Sequence, residues 1–408
     1  MLRKIVNGSV PSIDDADPTK TLMNTGVRRY DLRDLRSRTL AVAIGMLSLI
    51  GIPAQAPADP AQDFLTATPG YHYRFPQDHG AHEGFRTEWW YYTGQVSTAD
   101  GRMFGFELTF FRRGIPPDSV KTAPSEWSIR HLYLAHFALT DLARGRFSMS
   151  EKVSRAGLGK AGADSGGLRV WIDRWSAVEE PDGSARQHLQ AETGDFAVDL
   201  TVVPRKPPIV HGGDGISRKG ADLTQASHYY SLTRLATEGR IRVSNEWLTV
   251  TGLSWMDHEF GSSGLGTEVV GWDWFSLQLS DNTELMWYRL RHADGSDDPA
   301  SSGTFILADG TSRGLALRDV TVEARTHWTS PRSGARYPQQ WKVTAPSIGL
   351  DLEVSSLLPD QELQTPISTQ VTYWEGAVKA TGRSGGTPVS GGGYVELTGY
   401  ASRFGKKL

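Results

Sequence analysis

The chain carries the stretch WWYYTGQVS at residues 89–97 and a second version of it, WDWFSLQLS, at residues 272–280. The two versions are 183 positions apart and share Trp, two adjacent aromatic residues, Gln, an aliphatic residue and Ser. Each runs into a polar turn and a further apolar segment. A repeated unit of this kind indicates internal duplication. The sequence therefore predicts two similar domains with aromatic-lined interiors.

The composition is that of a globular, β-rich protein. Of 408 residues, 38% are hydrophobic and 22% are charged, and the chain has 44 Gly and 13 Trp. This profile differs from that of disordered or membrane-spanning proteins, and the length allows two cores of substantial size. Cysteine is absent, which excludes disulfides, thiolate metal sites and cysteine nucleophiles.

Residues 1–58 have the features of an export segment. Several arginines, from Arg28 to Arg38, precede an apolar run at residues 40–52, which is shorter than the roughly 20 residues of a spanning helix. Ala56-Pro57-Ala58 then provides a small-residue cleavage site. We expect a periplasmic or extracellular protein without a transmembrane domain, and Met23 is an alternative start. The other interpretation is a short amphipathic or anchoring helix.

The charge of the remainder disfavours nucleic-acid binding. Residues 1–58 hold eight Lys or Arg and five Asp or Glu, so the rest of the chain has a formal charge of −6, against −3 for the whole. No basic surface for nucleic acid is expected on such a protein.

From residue 71 onward the pattern predicts antiparallel strands and turns. Apolar or aromatic runs of strand length occur at residues 103–111, 132–139, 229–235 and 247–252. Asp-Gly pairs, which favour tight hairpins, begin at positions 100, 182, 214, 294 and 309. The prediction is an all-β protein with domains at 59–250 and 251–408. The Pro- and Gly-rich stretches at 204–222 and 382–393 are predicted to be a long loop and a flexible connection.

Residues 255–261, WMDHEFG, hold the densest group of titratable side chains. Asp257, His258 and Glu259 are flanked by aromatic residues near the predicted domain boundary. Desolvation and mutual interaction can tune such groups for general acid or base chemistry. The alternative is that Asp257 and Glu259 cap turns and pair with arginine.

Glu88 and Glu375 are the other carboxyl candidates. In an alternating strand Glu88 shares one face with Trp90, so either its carboxylate enters an aromatic pocket or it forms a structural ion pair with Arg86 or Arg112. Glu375 follows Tyr373-Trp374 and has the same two interpretations.

Familiar metal and cofactor motifs are missing. His82-Glu83 lacks the second histidine of a zincin helix, since residue 86 is Arg. Gly382-Arg383-Ser384-Gly385-Gly386 has the spacing of a nucleophile elbow but lies in a Gly-rich stretch. The chain also lacks a dinucleotide or phosphate-binding glycine motif. We therefore predict no metal and no cofactor.

Residues 82–94, HEGFRTEWWYYTG, together with 206–208, 215–220 and 271–275, resemble the AttH-like exported proteins, often labelled secreted hydrolases. These belong to the lipocalin-like superfamily of carotenoid 1,2-hydratase, and the resemblance covers nearly all of residues 70–402. It implies two lipocalin-like β-barrels, in agreement with the repeat.

The resemblance also implies a function. Hydratases of this superfamily add water to an isoprenoid double bond, so we expect an apolar isoprenoid or lipid ligand and a hydro-lyase reaction. True carotenoid hydratases have a His-Asp-x-Asn-type string where this chain has Met256-Asp257-His258-Glu259, so Asp257 alone is matched. Asp257 would be the acid and His258 its partner, with Glu259 and Glu88 as further catalytic candidates. The expected substrate-binding residues are Trp89, Tyr91, Tyr229, Trp255, Trp272, Trp274 and Glu375.

Two other functions fit the same fold. A lipocalin-like barrel can hold a lipid without chemistry, as a carrier or as an accessory protein of an envelope ABC transporter. The family label also leaves a secreted hydrolase open. A titratable group facing a closed pocket would favour the enzyme, and an apolar cavity without one would favour the carrier.

Overall fold

The computed structural model describes residues 64–116, 130–213, 215–222, 224–262 and 264–404. The predicted export segment at residues 1–58 lies outside this part of the chain. Among the described residues, no helix has the length and apolar character that a membrane span requires. The helices that are described are short 3-10 turns at Gln77–His79, Leu317–Asp319 and Pro346–Ile348.

The first half of the described chain forms one antiparallel, barrel-like sheet, here called the first barrel. The strands are β1 Thr87–Ser97, β2 Met103–Gly114, β3 His131–Asp141, β4 Arg146–Arg155, β5 Ala161–Ala163, β6 Arg169–Ile172, β7 Trp175–Glu179, β8 Gln187–Glu192, β9 Phe196–Pro204, β10 Ile209–Val210, β11 Ser217–Arg218, β12 Ala226–Val243 and β13 Glu246–Gly261. They are arranged in the sheet in the order β4-β3-β2-β1-β13-β12-β9-β8-β7-β6-β5, and the short strands β10 and β11 also pair with β12.

The second half forms the second barrel. The strands are β14 Val269–Leu279, β15 Glu284–His292, β16 Ser302–Ile306, β17 Ser312–Ala316, β18 Thr321–Thr329, β19 Arg336–Ala345, β20 Leu350–Ser356, β21 Glu362–Gln364, β22 Thr372–Ser384 and β23 Thr387–Leu397. They are arranged in the sheet in the order β17-β16-β15-β14-β23-β22-β20-β19-β18, and β21 pairs with β22.

The two copies of the repeated stretch occupy equivalent strands. Residues 89–97 lie in β1, between β2 and β13, and residues 272–280 begin in β14, between β15 and β23. In each barrel the first strand therefore pairs with both the second strand and the last. The predicted all-β class and the two lipocalin-like barrels from an internal duplication are confirmed.

Alternation along β1 separates two environments. Trp90 and Tyr92 point into the first barrel and pack with the phenylalanines of β2. Tyr91 points outward and joins Trp255, Trp274 and other residues in an aromatic cluster between the barrels. Because neighbouring side chains of a strand face opposite sides, the run of aromatics fills the core and the inter-barrel contact at once.

The repeated glutamines connect the barrels reciprocally. Gln95 of β1 donates through Nε2 to the backbone carbonyls of Val378 and Gly393 in the second barrel, at 2.7 and 2.8 Å. Gln278 of β14 donates to the carbonyls of Thr233 and Ser254 in the first barrel, at 2.8 and 2.9 Å. Each such bond contributes about 0.5–1.5 kcal/mol net. The glutamine shared by both copies thus has a structural role.

Several local predictions differ from the structure. The boundary predicted between residues 250 and 251 falls inside β13, and the change of sheet lies between Gly261 and Val269. Residues 255–261 are therefore part of one long strand, since β13 pairs with both β1 and β12 over this stretch.

The predicted flexible connection at 382–393 is also wrong. Its residues form the ends of β22 and β23 around a turn at Gly385 and Gly386. Gly393 lies so close to β14 that a Cβ there would be 1.7 Å from the Ser276 carbonyl oxygen. Glycine here permits close strand pairing, which a count of glycines alone cannot distinguish from flexibility.

The stretch at 204–222 is largely a loop, as predicted, and carries β10 and β11 as short strands against β12. Two of its lysines are anchored in buried ion pairs. Lys206 Nζ lies 2.7 Å from Glu284 Oε2, and Lys219 Nζ lies 2.9 Å from Glu259 Oε1. This loop therefore packs against the body of the protein and brings one cation to the space between the barrels.

Candidate functional site

A cavity of about 430 Å³ lies between the outer faces of the two barrels. Its first-barrel wall comes mainly from β1, β2, β12 and β13, and its second-barrel wall from β14, β15, β22 and β23. Aromatic and aliphatic side chains make up much of the lining: Trp89, Tyr91, Phe111, Leu134, Tyr229, Leu265, Trp272, Trp274, Tyr288, Leu290, Val371, Tyr373 and Phe404. The size and apolar lining suit a small apolar ligand.

Strand β13 directs its titratable residues to two different places. Asp257 and Glu259 line the cavity, whereas Met256 lies in the interior of the first barrel. His258, on the same face as Met256, bonds to Glu88. The predicted partnership of Asp257 with His258 is therefore not formed, because residues adjacent in a strand point to opposite faces.

Asp257 is buried at the wall of the cavity. Among the described residues it accepts hydrogen bonds from Trp255 Nε1 at 2.6 Å, from the Tyr229 hydroxyl at 2.8 Å and from the Ser231 hydroxyl. Burial raises the pKa of Asp257 to about 7, although these hydrogen bonds act to lower it. Tyr229 also accepts a bond from Trp274 Nε1 at 3.1 Å. Asp257 can therefore hold a proton near neutral pH.

Glu259 has a different environment. It receives the Lys219 ammonium at 2.9 Å and a hydrogen bond from the Ser227 hydroxyl. Burial acts to lower the pKa of Lys219, but the charge of Glu259 raises it overall. This pair places a charge-balanced polar group in the cavity wall.

The second barrel and β2 bring further carboxyls to the cavity. Burial raises the pKa of Glu107 to about 8, that of Glu396 to about 7 and that of Glu375 well above its usual range. Tyr91 donates its hydroxyl to Glu375 Oε1, and Trp272 Nε1 donates to Glu396 Oε2 at 2.8 Å. One oxygen, Oε2, of both Glu107 and Glu375 is buried without a hydrogen-bond partner among the described residues.

Three further charged residues of the cavity were not predicted from the sequence: Glu107, Lys219 and Glu396. Glu107 lies between Phe106 and Leu108 in an apolar strand, and a carboxyl there is unusual enough to have served as a signal. Lys219 lies in the segment 215–220 that carries the family resemblance, which could have drawn attention to it. Glu396 offered no such signal, because it is one charged residue among many. Of the predicted substrate-binding residues, Trp255 does not line the main cavity but donates a hydrogen bond to Asp257. It lines a second cavity of about 340 Å³, which also lies between the two barrels. The others line the main cavity: Trp89, Tyr91, Tyr229, Trp272, Trp274 and Glu375.

Glu88 forms the centre of a buried ionic cluster on the interior face of β1. Its Oε2 lies 2.8 Å from Arg112 Nε, and its Oε1 lies 2.8 Å from both His82 Nδ1 and His258 Nε2. Burial acts to raise the pKa of Glu88, but hydrogen bonds from His258 and His82, together with the charge of Arg112, bring it well below its usual range. Of the two arginines considered as ion-pair partners of Glu88, Arg112 is the one that forms the pair. The contacts of the Glu88 carboxylate are therefore those of a structural ion pair.

His82, Glu88 and His258 also have the residue types and spacing of a metal site. Their candidate ligand atoms all lie within 4.8 Å of one another, and no other such group occurs in the part of the chain described here. The remaining ring nitrogens bond to Asp78 Oδ1 and to the Tyr230 hydroxyl, as outer partners of metal-binding histidines do. However, Arg112 already neutralises Glu88, and a cation would have to displace the proton that His82 shares with Glu88. The contacts fit a hydrogen-bonded ionic cluster better.

Comparison with known proteins identifies the family. The model of the AttH-like family matches residues 66–400. The chain belongs to the AttH-like family. A crystal structure described as AttH from Nitrosomonas europaea is 36% identical, with a TM-score of 0.74 over 83% of this chain and 99% of that one. A comparison with curated proteins gave no match.

A more distant structural relative of this AttH-like chain is kievitone hydratase from Nectria haematococca. It is 17% identical, with a TM-score of 0.60 over 80% of this chain and 92% of that protein. At this identity the likeness concerns the fold alone.

Proposed function

We propose that this AttH-like protein is a hydratase that binds an apolar isoprenoid or lipid molecule between its barrels and adds water across a C=C bond. The observation that carries the proposal is the group of buried carboxyls with raised pKa values on an aromatic cavity wall. A protonated carboxyl in a dry cavity is the group that protonation of an alkene requires. The structural relative named as a hydratase also supports this reaction class.

Asp257 is the proposed proton donor. Its carboxyl lies at the cavity wall beside the Tyr229 hydroxyl, and in its protonated form it carries a proton that it can transfer to a bound alkene. The proton then passes to one alkene carbon as the π electrons form the new C–H bond, and positive charge develops on the other carbon. Trp89, Trp272 and Trp274 line the space where such a cation would form, and aromatic faces stabilise cations by about 0.5–2 kcal/mol each. The oxygen of a water molecule bonds to the cation, and the water loses one proton. Asp257 regains a proton by exchange with solvent, so that the alkene has gained H and OH.

The strongest rival is a non-catalytic lipid carrier, including an accessory protein of an envelope ABC transporter. The volume and the apolar lining of the cavity serve a carrier equally well. The carboxyls distinguish the two functions. Asp257, Glu107, Glu375 and Glu396 have no ion-pair partner among the described residues, and burying such carboxyls has a free-energy cost that simple lipid binding does not require. A secreted hydrolase is supported only by the label used for related proteins.

Saturable binding of apolar ligands is the first expected result. Squalene, a fatty acid and a sugar would each be titrated into the full-length protein while tryptophan fluorescence is followed. Since several tryptophans line the cavity, squalene or the fatty acid should quench the emission, and the sugar should not. Equal responses to all three would contradict a dedicated apolar site.

The same squalene mixture, incubated in oxygen-18 water, tests the reaction. A hydratase gives a product heavier by one labelled water, detected by mass spectrometry. Binding without any hydrated product would favour the carrier, and release of fatty acid from an added lipid ester would favour the hydrolase.

Export is proposed from the sequence of residues 1–58 alone. Protein isolated from its native host is expected to begin near Asp59 and to occur outside the cytoplasm. N-terminal sequencing of each cell fraction would measure this. A terminus at Met1 or Met23 on cytoplasmic protein would overturn it.

A further inference from the structure

The duplication gives Asp257 a counterpart in the second barrel. Asp257 lies opposite Tyr91 in the β1–β13 pairing, and Glu396 lies opposite Trp274 in the β14–β23 pairing. Tyr91 and Trp274 hold the same position in the two copies of the repeat, and their rings meet edge to face at 5.3 Å. Asp257 and Glu396 are therefore equivalent residues, one from each barrel, and both line the same cavity.

The two carboxyls differ in their contacts. Hydrogen bonds from the side chains of Trp255, Tyr229 and Ser231 hold Asp257. Trp272 Nε1 is the one donor to Glu396 among the described residues. Glu396 is half-buried, whereas Asp257 is buried. Glu396 is thus the better placed of the two to contact a water molecule in the cavity.

We propose that Asp257 and Glu396 form a catalytic acid–base pair across the inter-barrel cavity. Asp257 supplies the proton that forms the new C–H bond, and Glu396 accepts the proton that the attacking water loses as its oxygen bonds to the cation. The substrate gains H and OH, and one proton passes from the first carboxyl to the second. Exchange with solvent restores the starting state. This role for Glu396 rests on the proposed hydratase function.

Electrostatics supports the pairing. Burial raises the pKa of both groups to about 7, and the charge of Asp257 further raises the pKa of Glu396. Carboxylates that face one cavity resist being ionised together, which favours a single shared proton in the proposed pair near neutrality. Other charged or titratable groups line the same cavity: Arg86, Tyr91, Glu107, Arg112, Arg113, His136, Lys219, Tyr229, Glu259, Tyr288, Tyr373 and Glu375.

The pairing can be tested without a substrate. In full-length protein labelled with carbon-13 at aspartate carboxyls, one resonance should titrate near pH 7 and be absent from the Asp257→Asn variant. In Glu396→Gln the midpoint of that resonance should fall by about one pH unit, because a like charge has been removed. Exposed Glu353→Gln is the matched control and should leave the midpoint unchanged. An unchanged midpoint in Glu396→Gln would overturn the pair.

Turnover provides the second measurement. With squalene in oxygen-18 water, the rate should rise and then fall with pH, with a maximum near 7, since Glu396 must be ionised and Asp257 protonated. Glu396→Gln should slow hydration by about 10²-fold or more and remove the rise on the acidic side. Hydration that keeps its full pH profile in this variant would overturn the role of Glu396. Coupled titration with no hydration of squalene would instead count against the hydratase function, so the two failures are distinct.

Discussion

Replacement of Asp257 by asparagine is expected to slow hydration by about 10²- to 10⁴-fold, the usual contribution of a general acid. Asparagine keeps the shape and can still form hydrogen bonds to Trp255 and Tyr229, but its amide is not an acid and cannot protonate an alkene. Ligand binding should survive, because the aromatic walls of the cavity are untouched. Both quantities are measured on the same protein, by labelled-water incorporation and by fluorescence titration.

Asp351→Asn is the matched control for this variant. Asp351 lies on the exposed face of β20, away from the cavity, so its replacement should leave the rate unchanged. Full activity in Asp257→Asn, with activity abolished in Glu375→Gln, would mean that the acid lies in the second barrel. Wild-type rates in both variants, with binding retained, would favour the carrier.

Loss of the Glu88 charge is expected to lower the free energy of unfolding by about 3–5 kcal/mol, the cost of leaving a buried partner charge uncompensated. In Glu88→Gln the Arg112 guanidinium remains fully buried, with 0% of its side chain exposed, and has lost its carboxylate. Urea denaturation of the full-length protein would measure the change. Asp164→Asn is the control, since both side chains of the Asp164–Arg169 pair are 52% exposed and such pairs contribute about 0–1 kcal/mol.

The pH dependence of this effect has a definite sign. The pKa of Glu88 in the folded state lies below its ordinary value of 4.5, so the ionised form contributes stability in full above that pH. The difference in the free energy of unfolding between wild type and Glu88→Gln should therefore become smaller as the pH falls below about 4.5. A double variant with Arg112→Gln should be destabilised by less than the sum of the single changes. A buried ionic cluster would be contradicted if the losses of unfolding free energy in the two single variants added up in the double variant. It would also be contradicted if Glu88→Gln lost no more unfolding free energy than Asp164→Asn.

The repeated stretch was sufficient to predict two similar domains, the alternating apolar runs predicted strands, and the resemblance to the AttH-like proteins supplied the barrel fold. Strand pairing bears the repeat out, because β1 and β14 have equivalent neighbours in the two sheets. The candidate site was predictable only in part. Asp257 and Glu259 stand out as acids in an aromatic run, and their shared face follows from the alternation of a strand. Pairing Asp257 with His258 failed because residues 255–261 were assigned to a domain boundary, where alternation does not apply. Glu396 was missed because its importance arises from the packing of one barrel on the other.

The reciprocal contacts of Gln95 and Gln278 have the form of an isologous dimer interface, in which a surface recognises its own copy through a two-fold axis. Here both halves belong to one chain, so each side of the axis can change alone. Ser231 pairs with Asp257 between β12 and β13. At the equivalent position between β22 and β23, Glu375 pairs with Glu396. A homodimer would have to place the same residue on both sides of its axis. Because the two repeated halves are joined in one chain, a symmetric contact between the barrels can enclose an asymmetric cavity. Different groups can then face the two ends of one bound molecule.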